Sequence, residues 1–154
     1  MTRDEDPELI AQAIPFGLKT SEWLLESVPK NEALLVATCS GYTSYTYGFV
    51  LTPADAQQFT NPTAWREGTA RALNLYVRAK DFCMRAWEVR YPGITKAMMM
   101  DPVKAVAKTK KEDVELLYWT AASWGSAMSL GKDRPELIAD FPAVDRKSTR
   151  LNSS

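Results

Sequence analysis

The 154-residue sequence predicts an all-α protein built from antiparallel helical hairpins. Three observations carry that prediction. Asp6-Pro7, Asn61-Pro62 and Asp101-Pro102 each place a capping side chain before a proline that suits the first helical position. Apolar residues recur at steps of three, four and seven, the period of a helix with one buried face. No segment sustains the period-two alternation, bounded by tight turns, that marks a strand.

The first helix is expected from Pro7 to about Val28, with Pro15 kinking it because proline lacks the N–H that the preceding turn would accept. Pro29-Lys30 breaks the chain, and Asn31 caps a second helix from Glu32 to about Leu51. Its stripe reads Leu34, Leu35, Thr38, Tyr42, Tyr45, Phe49. Thr52-Pro53 is a weaker copy of the capping signal, within a connector that reaches Thr60. The third helix, Pro62 to Tyr91, shows an apolar face of Trp65, Ala72, Tyr76, Cys83 and Trp87. Its wet face is Arg71, Asn74, Arg78, Asp81, Arg85 and Glu88, with Asp81 and Arg85 spaced for an i,i+4 ion pair. Leu73, Leu75, Val77 and Phe82 widen the apolar surface, which implies neighbours on more than one side. Short helical pieces follow over Ile94–Met100 and Val103–Lys110. A strong helix then runs from about Glu112 to Leu130, with the stripe Val114, Leu117, Tyr118, Ala121, Trp124, Gly125, Met128. Gly93 and Gly131 fall where left-handed caps belong. A last short helix is expected between Pro135 and Pro142.

Ala13-x-x-Phe16-Gly17-x-x-Thr20 echoes Ala121-x-x-Trp124-Gly125-x-x-Met128. A large residue followed by glycine resembles the first helix of a tetratricopeptide repeat, where glycine admits a neighbouring helix. The echo by itself fits a cryptic array of helical hairpins or a chance likeness equally well.

Composition narrows the function. Lys plus Arg and Asp plus Glu balance at 19 each, so no basic footprint for nucleic acid is expected. The chain has no histidine, which removes the commonest general base and the commonest metal ligand together. Ser40, Ser44, Ser123, Ser126 and Ser129 thus have no imidazole to activate them, and no Ser-x-x-Lys stands at a helix start. Glu112, Asp113 and Glu115 read as carboxylates complementing a helix N-terminus. Lys104, Lys108, Lys110 and Lys111 read as a solvated basic face, with docking of an acidic partner as the alternative. No catalytic residue, metal or cofactor is expected. Cys39 and Cys83 sit in apolar-periodic stretches, so two buried thiols are expected, with a disulfide the alternative in an oxidising compartment. The charge-free run from Ala33 to Ala54 is long enough to span a bilayer, but its hydroxyls and glycines fit a buried central helix better.

The surplus that core packing does not demand is aromatic. Tyr42, Tyr45, Tyr47, Tyr118, Trp119 and Trp124 lie on the two most apolar helices and are the candidate ligand-contacting or pore-lining positions. Helix-to-helix packing is the competing role, and Tyr47 and Trp119 depart from it because they lie off the main stripes. The Tyr and Thr hydroxyls of these helices would need partners on burial, which a wet channel would supply.

The ordered segments Leu24-Leu-Glu-Ser-Val-Pro-Lys-Asn-Glu-Ala-Leu-Leu-Val36, Tyr76-Val-Arg-Ala-Lys-Asp-Phe-Cys-Met-Arg-Ala-Trp-Glu-Val-Arg-Tyr-Pro-Gly93 and Leu116-Leu-Tyr-Trp-Thr-Ala-Ala-Ser-Trp-Gly-Ser-Ala-Met-Ser-Leu130, with Lys132 to Val144, resemble the T-component (TatT) family of TRAP transporters. The resemblance spans Asp6 to Asp145 and implies a periplasmic, lipid-anchored helical protein with degenerate tetratricopeptide-like repeats. It is this resemblance, and not the echo, that implies a partial, tetratricopeptide-like α-solenoid of helical hairpins. It further implies a trimer that partners the solute-binding protein of a TRAP transporter, a class that imports small organic solutes; a small organic or hydrophobic solute is a further expected ligand. A generic tetratricopeptide-like adaptor for proteins is the alternative. The secretion signal, the lipid-bearing cysteine and about the second half of the family fold are not in this sequence. Residues 1–145 are therefore expected to form a truncated helical domain. Arg146-Lys-Ser-Thr-Arg-Leu-Asn-Ser-Ser154 resembles translated adapter read-through, so 146–154 is expected to be a non-native or disordered tail.

Overall fold

A computed structural model describes residues 6–132. The short helix expected after Pro135 and the tail expected at 146–154 lie outside the described residues. Those residues are all-α: α1 (Pro7–Ser27), α2 (Glu32–Tyr45), a π-helical segment (Thr46–Leu51), α3 (Thr52–Asp55), α4 (Pro62–Arg90), α5 (Ile94–Met100), α6 (Pro102–Val106) and α7 (Val114–Gly131). The capping residues behave as their chemistry requires. Asp6 accepts from the N–H groups of Glu8 and Leu9, Asn31 from Leu34, Asn61 from Ala64, and Asp101 from Lys104. Gly93 takes φ +88°, the left-handed conformation expected there. Gly131 does not: it is the last helical residue of α7 and is buried.

α1 runs continuously through Pro15. The second helix carries a feature that its apolar period does not announce. α2 widens at Thr46 into a π segment, and the chain continues helically into α3. Pro53 explains the widening. Its ring would press on the carbonyl one α-turn earlier and it has no N–H to offer. In the wider register the Thr52 hydroxyl donates to the Tyr47 carbonyl, five residues back, at 2.8 Å.

α4 is the central element, packing against α2, α7, the π segment, α3 and α5. Its 29 residues extend about 44 Å, enough to brace all of them. Along the α2–α4 seam Glu32 meets Arg90, Tyr42 meets Phe82 and Ala54 meets Gly68, so the two helical runs are antiparallel. α7 returns along α4 in the opposite sense: Tyr91 meets Asp113, Trp87 meets Thr120 and Lys80 meets Trp124. α1 lies on α2 alone among the strongly packed pairs. At that seam Gly41 leaves room for Leu18, whose Cδ2 would stand 2.8 Å from an added Cβ.

Cys39 and Cys83 are joined as a disulfide across the α2–α4 seam, correcting the expectation of two thiols. Both residues stand on the buried faces of facing antiparallel helices, with Cα atoms 5.4 Å apart, within the span a disulfide bridges. Asp81 and Arg85 do not pair. The Asp81 carboxylate lies 2.7 Å from Lys80 Nζ, and Arg85 reaches over the Phe82 ring to donate to the Pro29 carbonyl.

α7 buries a face other than its apolar stripe. Leu116, Thr120, Ser123, Ala127 and Gly131 are inward, whereas Val114, Tyr118 and Ala121 are exposed. The reason lies on α4. Trp87 is fully buried, so the opposing helix must be small there, and the indole N–H needs an acceptor, which the Thr120 hydroxyl supplies at 2.8 Å.

Candidate functional site

The six aromatic positions divide by depth. Tyr42 and Tyr45 are buried. The Tyr42 ring stacks on Phe82, and its hydroxyl donates to Glu22 Oε1 at 2.6 Å. Arg78 Nε lies 2.7 Å from that same oxygen, and Lys19 Nζ 2.7 Å from Oε2, so one carboxylate ties α1, α2 and α4 together. Desolvation would raise the Glu22 carboxyl, but Lys19, the Tyr42 hydroxyl and Arg78 hold it below its usual range. Burial, and then the Glu22 carboxylate, push the Tyr42 hydroxyl far above its ordinary value. Tyr45 stacks on Phe49. Tyr47 is exposed on the π segment.

Tyr118, Trp119 and Trp124 share α7. Tyr118 is 62% exposed and meets Trp119 edge-on, with ring centroids 4.9 Å apart. Trp124 is half-buried beneath the Lys80 ammonium, 6.0 Å from its ring centroid. Val114, Tyr118 and Ala121 give α7 an outward, largely apolar surface, whereas Trp119 and Trp124 are partly buried against the core. α1 presents a second one. Leu9, Phe16 and Trp23, at successive seven-residue steps, are 54%, 70% and 57% exposed on the side away from buried Leu18 and Leu25. Gly17 and Gly125 stand beside these two surfaces, and a Cβ on either would meet nothing within 4 Å. Among the described residues neither glycine therefore admits a neighbouring helix, although the repeat-like echo pointed to that role. Gly41 and Gly68 do so instead.

The buried hydroxyls need no channel. Thr38, Thr43, Thr46, Thr120 and Ser123 donate to the carbonyls of Leu34, Cys39, Tyr42, Leu116 and Trp119, each four residues back.

Sequence reasoning missed two features. One is an ion network at the end of α4. Arg90 Nη1 lies 2.7 Å from Asp113 Oδ1, while Nε and Nη2 hold Glu32. Asp113 is only 2% exposed, and it also accepts from the Tyr91 hydroxyl and the Lys110 N–H at 2.7 and 2.8 Å. Burial would raise its carboxyl; the Lys110 N–H, Tyr91 and Arg90 together hold it below the ordinary range. The Asp113 carboxylate pushes the Tyr91 hydroxyl up. Read from sequence, Asp113 was one of three helix-start carboxylates; only the i,i+23 partnership with Arg90 separates it from Glu112 and Glu115.

The other feature is a cleft of about 580 Å³ between the end of α4 and the α5–α6 elbow. Pro92 and left-handed Gly93 swing α5 away from α4. Glu88 then clamps the start of α5, accepting from the Gly93 N–H at 2.6 Å and the Thr95 hydroxyl at 2.7 Å. Those bonds hold the Glu88 carboxyl below its usual range. Buried Ala105 and half-buried Tyr91 and Ile94 form the deep side of the cleft, and Met100, Lys104 and Lys108 stand at its exposed edge. None of the six aromatic positions lines it. Its signal in the sequence was the four-residue step between Lys104 and Lys108, beside the short apolar run Ala97–Met100.

Among the described residues no helix is long and apolar enough to cross a membrane. Both α1 and α7 present exposed apolar side chains to solvent, Leu9, Phe16 and Trp23 on one and Val114 and Tyr118 on the other. The sequence profile of the TRAP transporter T-component family matches residues 3–151, and the chain belongs to that family. An uncharacterized protein of Treponema pallidum (strain Nichols) is 30% identical over 133 residues. That alignment covers 84% of this chain and 41% of the relative, so the chain spans about two fifths of the relative's length.

Proposed function

We propose that the chain is a non-catalytic, periplasmic accessory component of a TRAP-type solute uptake system that docks the system's solute-binding protein. Family membership over residues 3–151 carries this reading. The two outward apolar faces support it, because a docking scaffold needs surface that its own core leaves uncovered. A disulfide between α2 and α4 supports an oxidising compartment such as the periplasm, where the full-length form would be lipid-anchored. The hairpins stack as pieces of a tetratricopeptide-like solenoid, and the assembled protein is a homotrimer. Within this reading Tyr47, Tyr118 and Trp119 reach solvent and serve partner or solute contact, while Tyr42 and Tyr45 serve the core.

Retention of candidate partners on the immobilised chain tests the proposal. The solute-binding protein of a TRAP system should be retained, and Tyr118→Glu or Trp119→Ala should weaken retention at least about tenfold. Equal retention by both variants would remove the α7 face from the interface. Failure to retain that protein, with recovery of unrelated cytosolic proteins instead, would favour a generic tetratricopeptide-like adaptor.

A further inference from the structure

The cleft between α4 and the α5–α6 elbow carries a charge pattern that nothing in the fold uses. Lys104, on α6, and Lys108, in the turn that follows it, both line the cleft, and among the described residues neither ammonium makes an ion pair. The other polar groups nearby are already engaged. The Asp101 carboxylate accepts from the Lys104 N–H at 3.1 Å, and the Tyr91 hydroxyl donates to Asp113. The Thr109 hydroxyl donates to the Val106 carbonyl. What remains open to a ligand is an apolar wall of Ile94, Ala97, Met100 and Ala105, with two lysine cations that outnumber the one lining carboxylate, Asp101. Its volume of about 580 Å³ lies within the ordinary range for a small-molecule site.

We propose that this cleft binds a free amphiphilic carboxylate, its acid group between the Lys104 and Lys108 ammonium groups and its alkyl or aryl tail along Ile94, Ala97 and Met100. A bare inorganic anion would satisfy the lysines and leave the apolar wall wet. A neutral hydrocarbon would fill the wall and leave two cations beside it unused. One molecule with a single charged end and an apolar body matches both halves. The inference stands on the cleft alone and does not depend on the transport reading.

Calorimetric titration of the purified chain with sodium decanoate tests it. Saturable one-to-one binding is expected at sub-millimolar concentration. Lys104→Gln with Lys108→Gln should weaken it at least about tenfold, as should replacing decanoate by decanol, which lacks the charge. Butyrate should bind at least about tenfold more weakly than decanoate, because it has too little tail for the apolar wall. Both lysines are exposed and neither packs in the core, so the double variant should keep the wild-type helical circular dichroism. Ala97→Trp, which fills the cleft from α5, should abolish decanoate binding and serves as an independent variant. No saturable binding of decanoate overturns the proposal, as does equal affinity in the double lysine variant. Vesicles of phosphatidylglycerol should leave the chain in the supernatant. Sedimentation with them, uncompeted by decanoate, would assign the lysines to a lipid headgroup and overturn the free-acid assignment.

Discussion

Asp113 shows how one side chain can serve both as cap and as cross-brace. Its carboxylate closes the 3₁₀ turn at Lys111–Asp113 by accepting the Lys110 N–H, and the same group fixes Arg90 and Tyr91 at the far end of α4. Because it is almost fully buried, losing the charge leaves Arg90 short of one of its two carboxylates. Asp113→Asn should therefore cost about 3 kcal/mol at neutral pH, the low end for breaking a buried pair, since Glu32 still holds the guanidinium. The folded-state pKa of Asp113 lies below its ordinary value of 3.8, so on acidification the unfolded chain takes up this proton first. The stabilisation is thus complete well above that ordinary value and disappears as pH falls through the depressed folded value. Urea melts of wild type and Asp113→Asn should differ most near neutrality and converge below pH 3.8. A gap of constant size across that range would mean that Asp113 acts through packing alone.

At the scale of helices, glycine separates what the sequence displayed from what only the packing reveals. Gly17 and Gly125 stood out because they share an echoing pattern, yet each occupies open space in a helix interior. Replacing either by alanine should stabilise the chain by about 0.5–1 kcal/mol, the gain from restricting the unfolded backbone. Gly68 has no such echo, but an added Cβ would lie 2.5 Å from the Ala54 Cβ, an atom that no side-chain rotation can move. Gly68→Ala should force α3 and α4 apart and cost about 1–3 kcal/mol despite its better helix propensity. Gly41→Ala should fall between them, because the Leu18 methyl in its way can turn aside. Thermal melts of the four variants that failed to rank in this order would refute the packing account. The same division runs through the fold as a whole. Caps at Asp6, Asn31, Asn61 and Asp101 are local chemistry, so helix starts were legible in the sequence. The inward face of α7 was not, since hydropathy favours Tyr118 over Thr120, and only the bulk and N–H of Trp87 on another helix reverse that choice. The aromatic candidates were visible by type, but their depth is set by neighbours distant in sequence, as Glu22 and Phe82 show for Tyr42. The cleft depends on the angle that Gly93 gives α5, which no periodicity encodes.

Across the whole molecule, the α2–α4 seam organises everything else, and it is held at points of different physical kinds. The Cys39–Cys83 disulfide stands two helical turns from the Glu32–Arg90 pair on the same seam, and the chain it closes off spans 44 positions, including the π segment and α3. On the chain-entropy account, closing a loop of that length restricts the unfolded state and contributes about 4 kcal/mol, though strain can lower the yield. Native contacts some 10 Å apart along a helix are close to independent. An effect exerted on the unfolded chain should be still more so. Reduction should therefore lower the urea midpoint by the equivalent of about 2–4 kcal/mol and should do so equally in wild type and Asp113→Asn, to within about 0.5 kcal/mol. Comparing oxidised and reduced melts of both proteins decides the point. A midpoint indifferent to reductant would deny the disulfide and, with it, the argument from the bond to an oxidising compartment. A much larger penalty in Asp113→Asn would mean that the bond positions Arg90 and acts on the folded state, so that the covalent and ionic ties form one cooperative unit.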